Sequence, residues 1–490
     1  MKPTRLFLIL PIAAIALNSC KTTNVETVET QTEQPEEKTA DPPEEKIEKI
    51  EKIEKIEKIE KIEEEIEETE TALKKIDMTK WRYNEEDGVF FQTGIEYCLG
   101  TKDAPYRKIA FFVPGTLFKA KKNSADFYTV EVADEEAEVP YVMRIEKPMK
   151  AATVYERKSR PFTKAGFVYV LAGGESVEDF KSAVKYARYN SELLPGTTER
   201  FYVMGEGRSG ALAAMVGLES GGSESERKFS ELGAARTSGE VAGIASWSTS
   251  AGGKTDWQNE SEAQKNAQTK ILQESLDDFL SAAVFPFKAS FTSDRLPEPE
   301  KPGEFKAAGG ILDGKKTRRP KRGIPNPDEE AEYKRKKEKR DGELNGIFEA
   351  PADYIAALNH RSKKNGGGDW IIFDEESGKA KITTAEGFYT SMKNGEAESE
   401  EALQIPTADI MKMLEGGAAP ARFFRIREGL FSSGFNLQAA AALKKALEKA
   451  GAKVDFKAVW ESGRTDAEIS GGIEENTIEW INGIEKGTIR

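Results

Sequence analysis

The chain has 490 residues, with 72 Lys+Arg against 85 Asp+Glu, a formal net charge of −13, and 38% hydrophobic residues. That length suits one large domain or two to three ordinary ones. The acidic balance argues against general nucleic-acid binding, which needs positive surface to neutralise phosphates.

The first element is a targeting segment at 1–20. Lys2 and Arg5 precede an apolar run at 6–17, which is short for a bilayer span and the right length for a signal core. The run ends Leu17-Asn18-Ser19-Cys20, which resembles the bacterial lipobox, although Asn18 departs from the usual small residue. The resemblance implies cleavage before Cys20, lipidation of its sulfur and durable membrane anchoring. It places the protein in the cell envelope, periplasmic or at the cell surface; a plain secretory signal is the alternative. Once Cys20 is assigned, Cys98 is the remaining cysteine, so an intrachain disulfide is not expected. A buried thiol is the expectation for Cys98.

Residues 21–46 are rich in Thr, Glu, Gln and Pro and read as a disordered acidic linker. Residues 47–77 carry an Ile-Glu-Lys repeat with Ile47, Ile50, Ile53, Ile56, Ile59 and Ile62 three apart. A period of three drifts around a helix of 3.6 residues per turn, so no coiled-coil seam forms. Glu48–Lys52 and Glu51–Lys55 are Glu-first i,i+4 pairs, each stabilising a helix by roughly 0.2–0.5 kcal/mol. A charged helical stalk over 47–76, roughly 45 Å long at 1.5 Å per residue, stands beside a partly helical tether as the two readings.

The globular domain is expected at 78–490. Apolar runs at 108–113, 166–171, 201–204 and 454–460 read as buried strands. Helices are expected at 177–194, 211–215, 437–450 and 474–486. Short apolar strands alternating with helices predict an α/β fold with a mostly parallel sheet flanked by helices. Between about 256 and 406 the alternation fails, with helical pieces at 263–282 and 353–362. The basic stretch 315–340 within it is either a solvated loop or a patch for anionic lipid headgroups or an acidic partner.

The turn after the 201–204 strand carries the functional argument. It reads Gly205-Glu206-Gly207-Arg208-Ser209-Gly210, followed by a small-residue helix. That is the layout of a nucleophile elbow, in which G-x-S-x-G holds serine on a strained strand-to-helix turn. Here Gly207 stands at the nucleophile position. The chain's one histidine is His360, which falls in the insert and reads as a surface residue. There is no His or Cys cluster for a metal, and no cofactor is expected. Gly115 and Gly173 close strands at the expected ligand-facing edge, which places Gly115 and Thr116 in an oxyanion-side loop.

The order of pieces over about 100–490 resembles bacterial tannases and feruloyl esterases of the α/β-hydrolase fold. The resemblance rests on the elbow, on Arg425-Ile-Arg427-x-Gly429, and on Val454-Asp-Phe456 followed by Trp460. It implies a helical lid over 256–406. Carried over residue by residue, it puts the serine position on Gly207, the acidic position among Ser432, Ser433 and Gly434, and the histidine position on Arg464. None of these can take its catalytic role; arginine stays protonated near neutral pH. Losing one triad member removes most of the catalysis. The same resemblance therefore implies a retained fold serving ligand or partner binding: a small aromatic ester, a glycan or a protein.

Two rivals remain. In another register Ser209 is the elbow serine, with Asp466 nearby, and the chain is an active carboxylic-ester hydrolase; that serine needs a base. Alternatively the chain is a structural or adhesive lipoprotein that works through its stalk and basic insert. The oligomeric state is left open by the sequence.

Overall fold

The computed structural model describes residues 73–99, 107–146, 155–219, 223–249, 259–285, 287–289, 347–348, 350–392, 407–431, 437–462 and 467–489. The chain divides into two units, Met1–Glu63 and Glu64–Arg490. The signal segment with Cys20, the acidic linker, the repeat to residue 72, the basic stretch 315–340, and Ser432, Ser433, Gly434, Arg464 and Asp466 lie outside the described residues. No helix among the described residues is long and apolar enough to cross a membrane.

Nine strands form one sheet: β1 Arg82–Asn84, β2 Val89–Glu96, β3 Lys108–Pro114, β4 Tyr141–Glu146, β5 Val168–Gly173, β6 Phe201–Glu206, β7 Gly243–Trp247, β8 Phe423–Gly429 and β9 Lys453–Val459. Their order is β1-β2-β3-β5-β4-β6-β7-β8-β9. From β5 to β9 all pairs are parallel, while β1, β2 and β3 join antiparallel. The protein is thus an α/β fold. β3, β5, β6 and β7 are largely apolar on both faces because helices cover both.

The helices are α1 Ser159–Lys164, α2 Val177–Tyr189, α3 Arg208–Val216, α4 Ser223–Glu231, α5 Glu262–Ala282, α6 Pro351–Lys364, α7 Ala385–Met392, α8 Thr407–Glu415, α9 Leu437–Lys449 and α10 Ile473–Glu485. α2, α3, α8 and α9 pack through Phe180, Ala213, Ile410 and Leu443 on one face of the sheet. α1 and α10 pack through Phe162, Trp480 and Ile481 on the other. α2 opens with a capping box between Ser176 and Asp179. It stops at Tyr189, five residues short of the expected end. Asn190 Nδ2 takes the Tyr186 carbonyl at 2.8 Å, and Pro195 follows.

The insert differs from the expected helical lid. Its described residues hold α5, α6 and α7, and also an antiparallel hairpin, Ile371–Asp374 with Lys379–Ile382. Leu272, Tyr354, Trp370 and Phe388 of this unit share one core with Phe431, Leu437, Ala458 and Trp460, which flank the ends of β8 and β9.

The stalk reading also needs correction at its end. Leu73–Ile76 are not helical, and Leu73 and Ile76 are buried in the main core. The Ile76 amide donates to Asn190 Oδ1 at 2.8 Å, and the Tyr186 hydroxyl donates to the Lys74 carbonyl at 2.9 Å. Tertiary burial overrides the repeat here, so the folded body takes in residues 73–77, which the sequence reading assigns to the stalk.

Candidate functional site

In open α/β sheets, ligands bind beyond the carboxyl ends of the parallel strands. Among the described residues, three turns at that edge carry positive φ: Gly207 after β6 (58°), Ser248 after β7 (57°) and Glu461 just past β9 (53°). Ser248 and Glu461 are the non-glycine residues with positive φ among those described. Such conformations persist only where the surroundings enforce them, and they concentrate at functional sites.

Gly207 joins β6 to α3 with φ 58° and ψ −124°, a conformation glycine adopts without steric cost. Its amide donates to the Trp247 carbonyl at 2.8 Å, tying the turn to β7. Close approach dictates the flanking glycines. A Cβ on Gly205 would lie 2.2 Å from the Ser209 carbonyl oxygen, and one on Gly210 2.4 Å from the Trp247 carbonyl oxygen. Ser209 is the second residue of α3, half-buried and helical, so the strained position falls on Gly207. His360 is exposed on α6, whose buried face is Tyr354, Ile355, Leu358 and Ser362.

The oxyanion-side placement of Gly115 and Thr116 is overturned. β3 runs antiparallel to β5, pairing Ile109 with Ala172 and Phe112 with Tyr169. The end of β3 at Pro114 therefore lies at the amino edge, opposite Gly207. An apolar run reads alike in either direction, so its sequence holds no direction signal. Gly173, by contrast, does end β5 at the carboxyl edge, where its carbonyl accepts from the Tyr97 hydroxyl at 2.8 Å.

Two buried arginine clusters brace this edge. Arg144 of β4, 5% exposed, donates to Glu146 at 2.9 Å and to Glu206, and faces Glu474 of α10 at 3.8 Å. Arg425 and Arg427, two apart in β8, point to one face. There Arg425 meets Asp455 at 2.9 Å and Glu468 at 2.8 Å, and Arg427 meets Asp455 at 2.7 Å. Trp247 Nε1 also donates to Glu468 at 3.0 Å. Burial acts to raise the Asp455 carboxyl, but hydrogen bonds and charge from Arg427 and Arg425 outweigh it and hold the group below the usual aspartate range.

The turn after β9 is locked differently. The Tyr354 hydroxyl donates to Glu461 Oε1 at 2.5 Å and accepts from Trp460 Nε1 at 2.7 Å. Burial, then the neighbouring Glu461 carboxylate, push the Tyr354 hydroxyl well above the usual tyrosine range, so it stays a donor. No group of three or more His, Cys, Asp or Glu able to hold a metal occurs among the described residues.

No family model and no curated relative matches the chain. Solved structures overlap it loosely. Tannase from Lactobacillus plantarum aligns at 14% identity over 84% of this chain and 99% of that one, with TM-score 0.43. A tannin acyl hydrolase in complex with ethyl gallate aligns at 14% over 84% and 98%, TM-score 0.45. Fusobacterium nucleatum tannase aligns at 15% over 81% and 95%, TM-score 0.43. Overlaps this loose leave the chain's chemistry to its own residues.

The structure brings the sequence-singled Arg425, Arg427 and Asp455 together in one ion cluster, and sets Trp460 apart from it, against Tyr354 of the insert. Sequence reasoning missed Arg144, Ser248, Tyr354 and Glu461. A signal existed for Arg144, a charge inside the apolar run Tyr-Val-Met-Arg-Ile of β4. Ser248 and Glu461 carried none, since backbone strain leaves no trace in residue type.

Proposed function

We propose that the protein is a lipoprotein, anchored through Cys20, whose α/β-hydrolase-like domain binds a ligand or partner at the carboxyl edge and does not hydrolyse it. The observation that carries this is Gly207, which takes the strained turn between β6 and α3 with no side chain to act as nucleophile. The strand order and the turn at the end of β6 support the hydrolase-like reading. Ser209 sits inside the helix, and His360 is exposed on the insert. A serine without a base retains little nucleophilicity. The expected ligand is a small aromatic ester, a glycan or a protein partner.

The test treats the chain with a fluorophosphonate probe and follows phenyl-ester hydrolysis in parallel. The expected result is neither label nor turnover in a protein that melts cooperatively. Label on Ser209, with turnover abolished by Ser209→Ala, would replace this reading with an active ester hydrolase. The anchor is tested separately, by the mass of the Cys20 peptide from envelope material; an unmodified Cys20 sinks it.

A further inference from the structure

The chain is acidic overall, yet one exposed face is basic. After β3, the hairpin Phe118–Lys122 with Tyr128–Val132 takes up the segment preceding β1. Trp81 and Tyr128 exchange backbone hydrogen bonds at 3.3 and 2.7 Å, and the Val130 amide donates to the Met78 carbonyl at 3.0 Å. Asn123 Nδ2 also holds the Thr79 carbonyl at 2.9 Å. Alternation then sorts the side chains. Trp81, Phe118 and Val130 turn inward to the core. Lys80, Arg82, Lys119 and Lys121 are exposed on the other side. Glu131, across from Lys119, and Asp126, exposed in the hairpin's turn beside Phe127, are acids among these cations; Glu85 and Glu86 are exposed past Arg82, and Asp77 meets Lys80 at 3.1 Å. The Arg82 guanidinium lies 5.3 Å from the Phe127 ring centre, placing an aromatic ring within the basic face.

We propose that this ribbon is a docking face for anionic lipid headgroups of the membrane. Two observations favour lipid as the occupant. Cations interleaved with an aromatic ring match a headgroup surface. The ribbon is also joined early in the described chain, at Trp81, eight residues beyond Leu73, where it bridges to Tyr128. A tether raises the local concentration of the membrane surface, so a patch too weak to bind alone suffices as a second signal. The hairpin starts just past the end of β3, at the amino edge, so docking leaves the carboxyl edge at Gly207 uncovered. The orientation rests on the anchored reading of Cys20; the headgroup affinity does not.

The test uses the chain lacking only residues 1–20, unlipidated. It is sedimented with vesicles of phosphatidylcholine alone or of phosphatidylcholine with phosphatidylglycerol. Binding should require phosphatidylglycerol and weaken as salt rises. The triple variant Arg82→Gln, Lys119→Gln, Lys121→Gln should lose at least tenfold in partition, since each cation near an anionic surface contributes about fivefold. These side chains are exposed, so the variant should melt with the parent. Equal binding to both vesicles overturns the proposal. So does a triple variant that binds like the parent while deletion of 315–340 abolishes binding. Failure of the anchor reading would show only in the Cys20 peptide mass and would leave the vesicle result standing.

Discussion

Two turns at the carboxyl edge hold the same sign of φ by opposite means. After β6 the strained position is Gly207, which carries no side chain and relieves the strain at the residue itself. Just past β9 it is Glu461, a residue for which φ 53° costs on the order of 1–3 kcal/mol. Glu461 is held there because its carboxylate accepts from Tyr354 of the insert, whose hydroxyl also takes Trp460 Nε1. At Glu461 the strain is kept where a side chain joins the insert to the sheet. At Gly207 it is absent because there is no Cβ.

The largest expected effect tests the bracing beneath both turns. Arg427→Met strips the Asp455 carboxylate of one partner and leaves Glu468 under-compensated, and it should cost about 3 kcal/mol in denaturant unfolding. A loss under about 0.5 kcal/mol would mean that Arg425 alone holds both acids. Next, Gly207→Ser adds a Cβ at φ 58° and should cost about 1–3 kcal/mol without producing ester hydrolysis. Turnover by that variant would show that the rest of a catalytic apparatus survives. Tyr354→Phe removes the donor to Glu461 and the acceptor for Trp460 Nε1, a loss of about 1–2 kcal/mol. If Tyr354→Phe is neutral while Glu461→Gly stabilises, the strain at Glu461 serves something other than the insert.

The smallest effect concerns pH. Asp455 is depressed in the folded state, so its contribution is present above the unfolded aspartate value near 4 and is lost as pH falls through the lower folded value. The parent should therefore destabilise in that acid window, and Arg427→Met should flatten the dependence. Identical acid curves for the two proteins would remove Asp455 from the account.

The sequence discloses elements better than their directions. The apolar runs that became β3, β5 and β6 are legible because burial on both faces demands apolar residues. The elbow turn is legible because a Cβ on Gly205 or Gly210 would fall 2.2 or 2.4 Å from a backbone oxygen, so glycine is required at both. The direction of β3 is illegible, and with it the place of Gly115 and Thr116. So is the hairpin in the insert, whose Lys-Ala-Lys-Ile strand is too short and polar to stand out from a loop. Leu73 and Ile76 look like the tail of a repeat, and only the partner surface on α2 reveals them as core. Arg425 and Arg427 announce themselves as charges in a strand, but their function as a clamp on Asp455 and Glu468 needs the neighbouring strand and the segment after it.

The seam between Leu73–Ile76 and the end of α2 also has a mechanical meaning. Any tension transmitted along the chain from before residue 73 falls first on the Tyr189 hydroxyl to the Leu73 carbonyl, at 3.3 Å. It then reaches the Tyr186 contact to Lys74 and the Asn190 contact to Ile76. These bonds anchor to a helix that packs against one face of the sheet, so a modest load is spent in peeling four residues off α2. The turns at Gly207 and Glu461 sit beyond that seam and keep their shape until it parts.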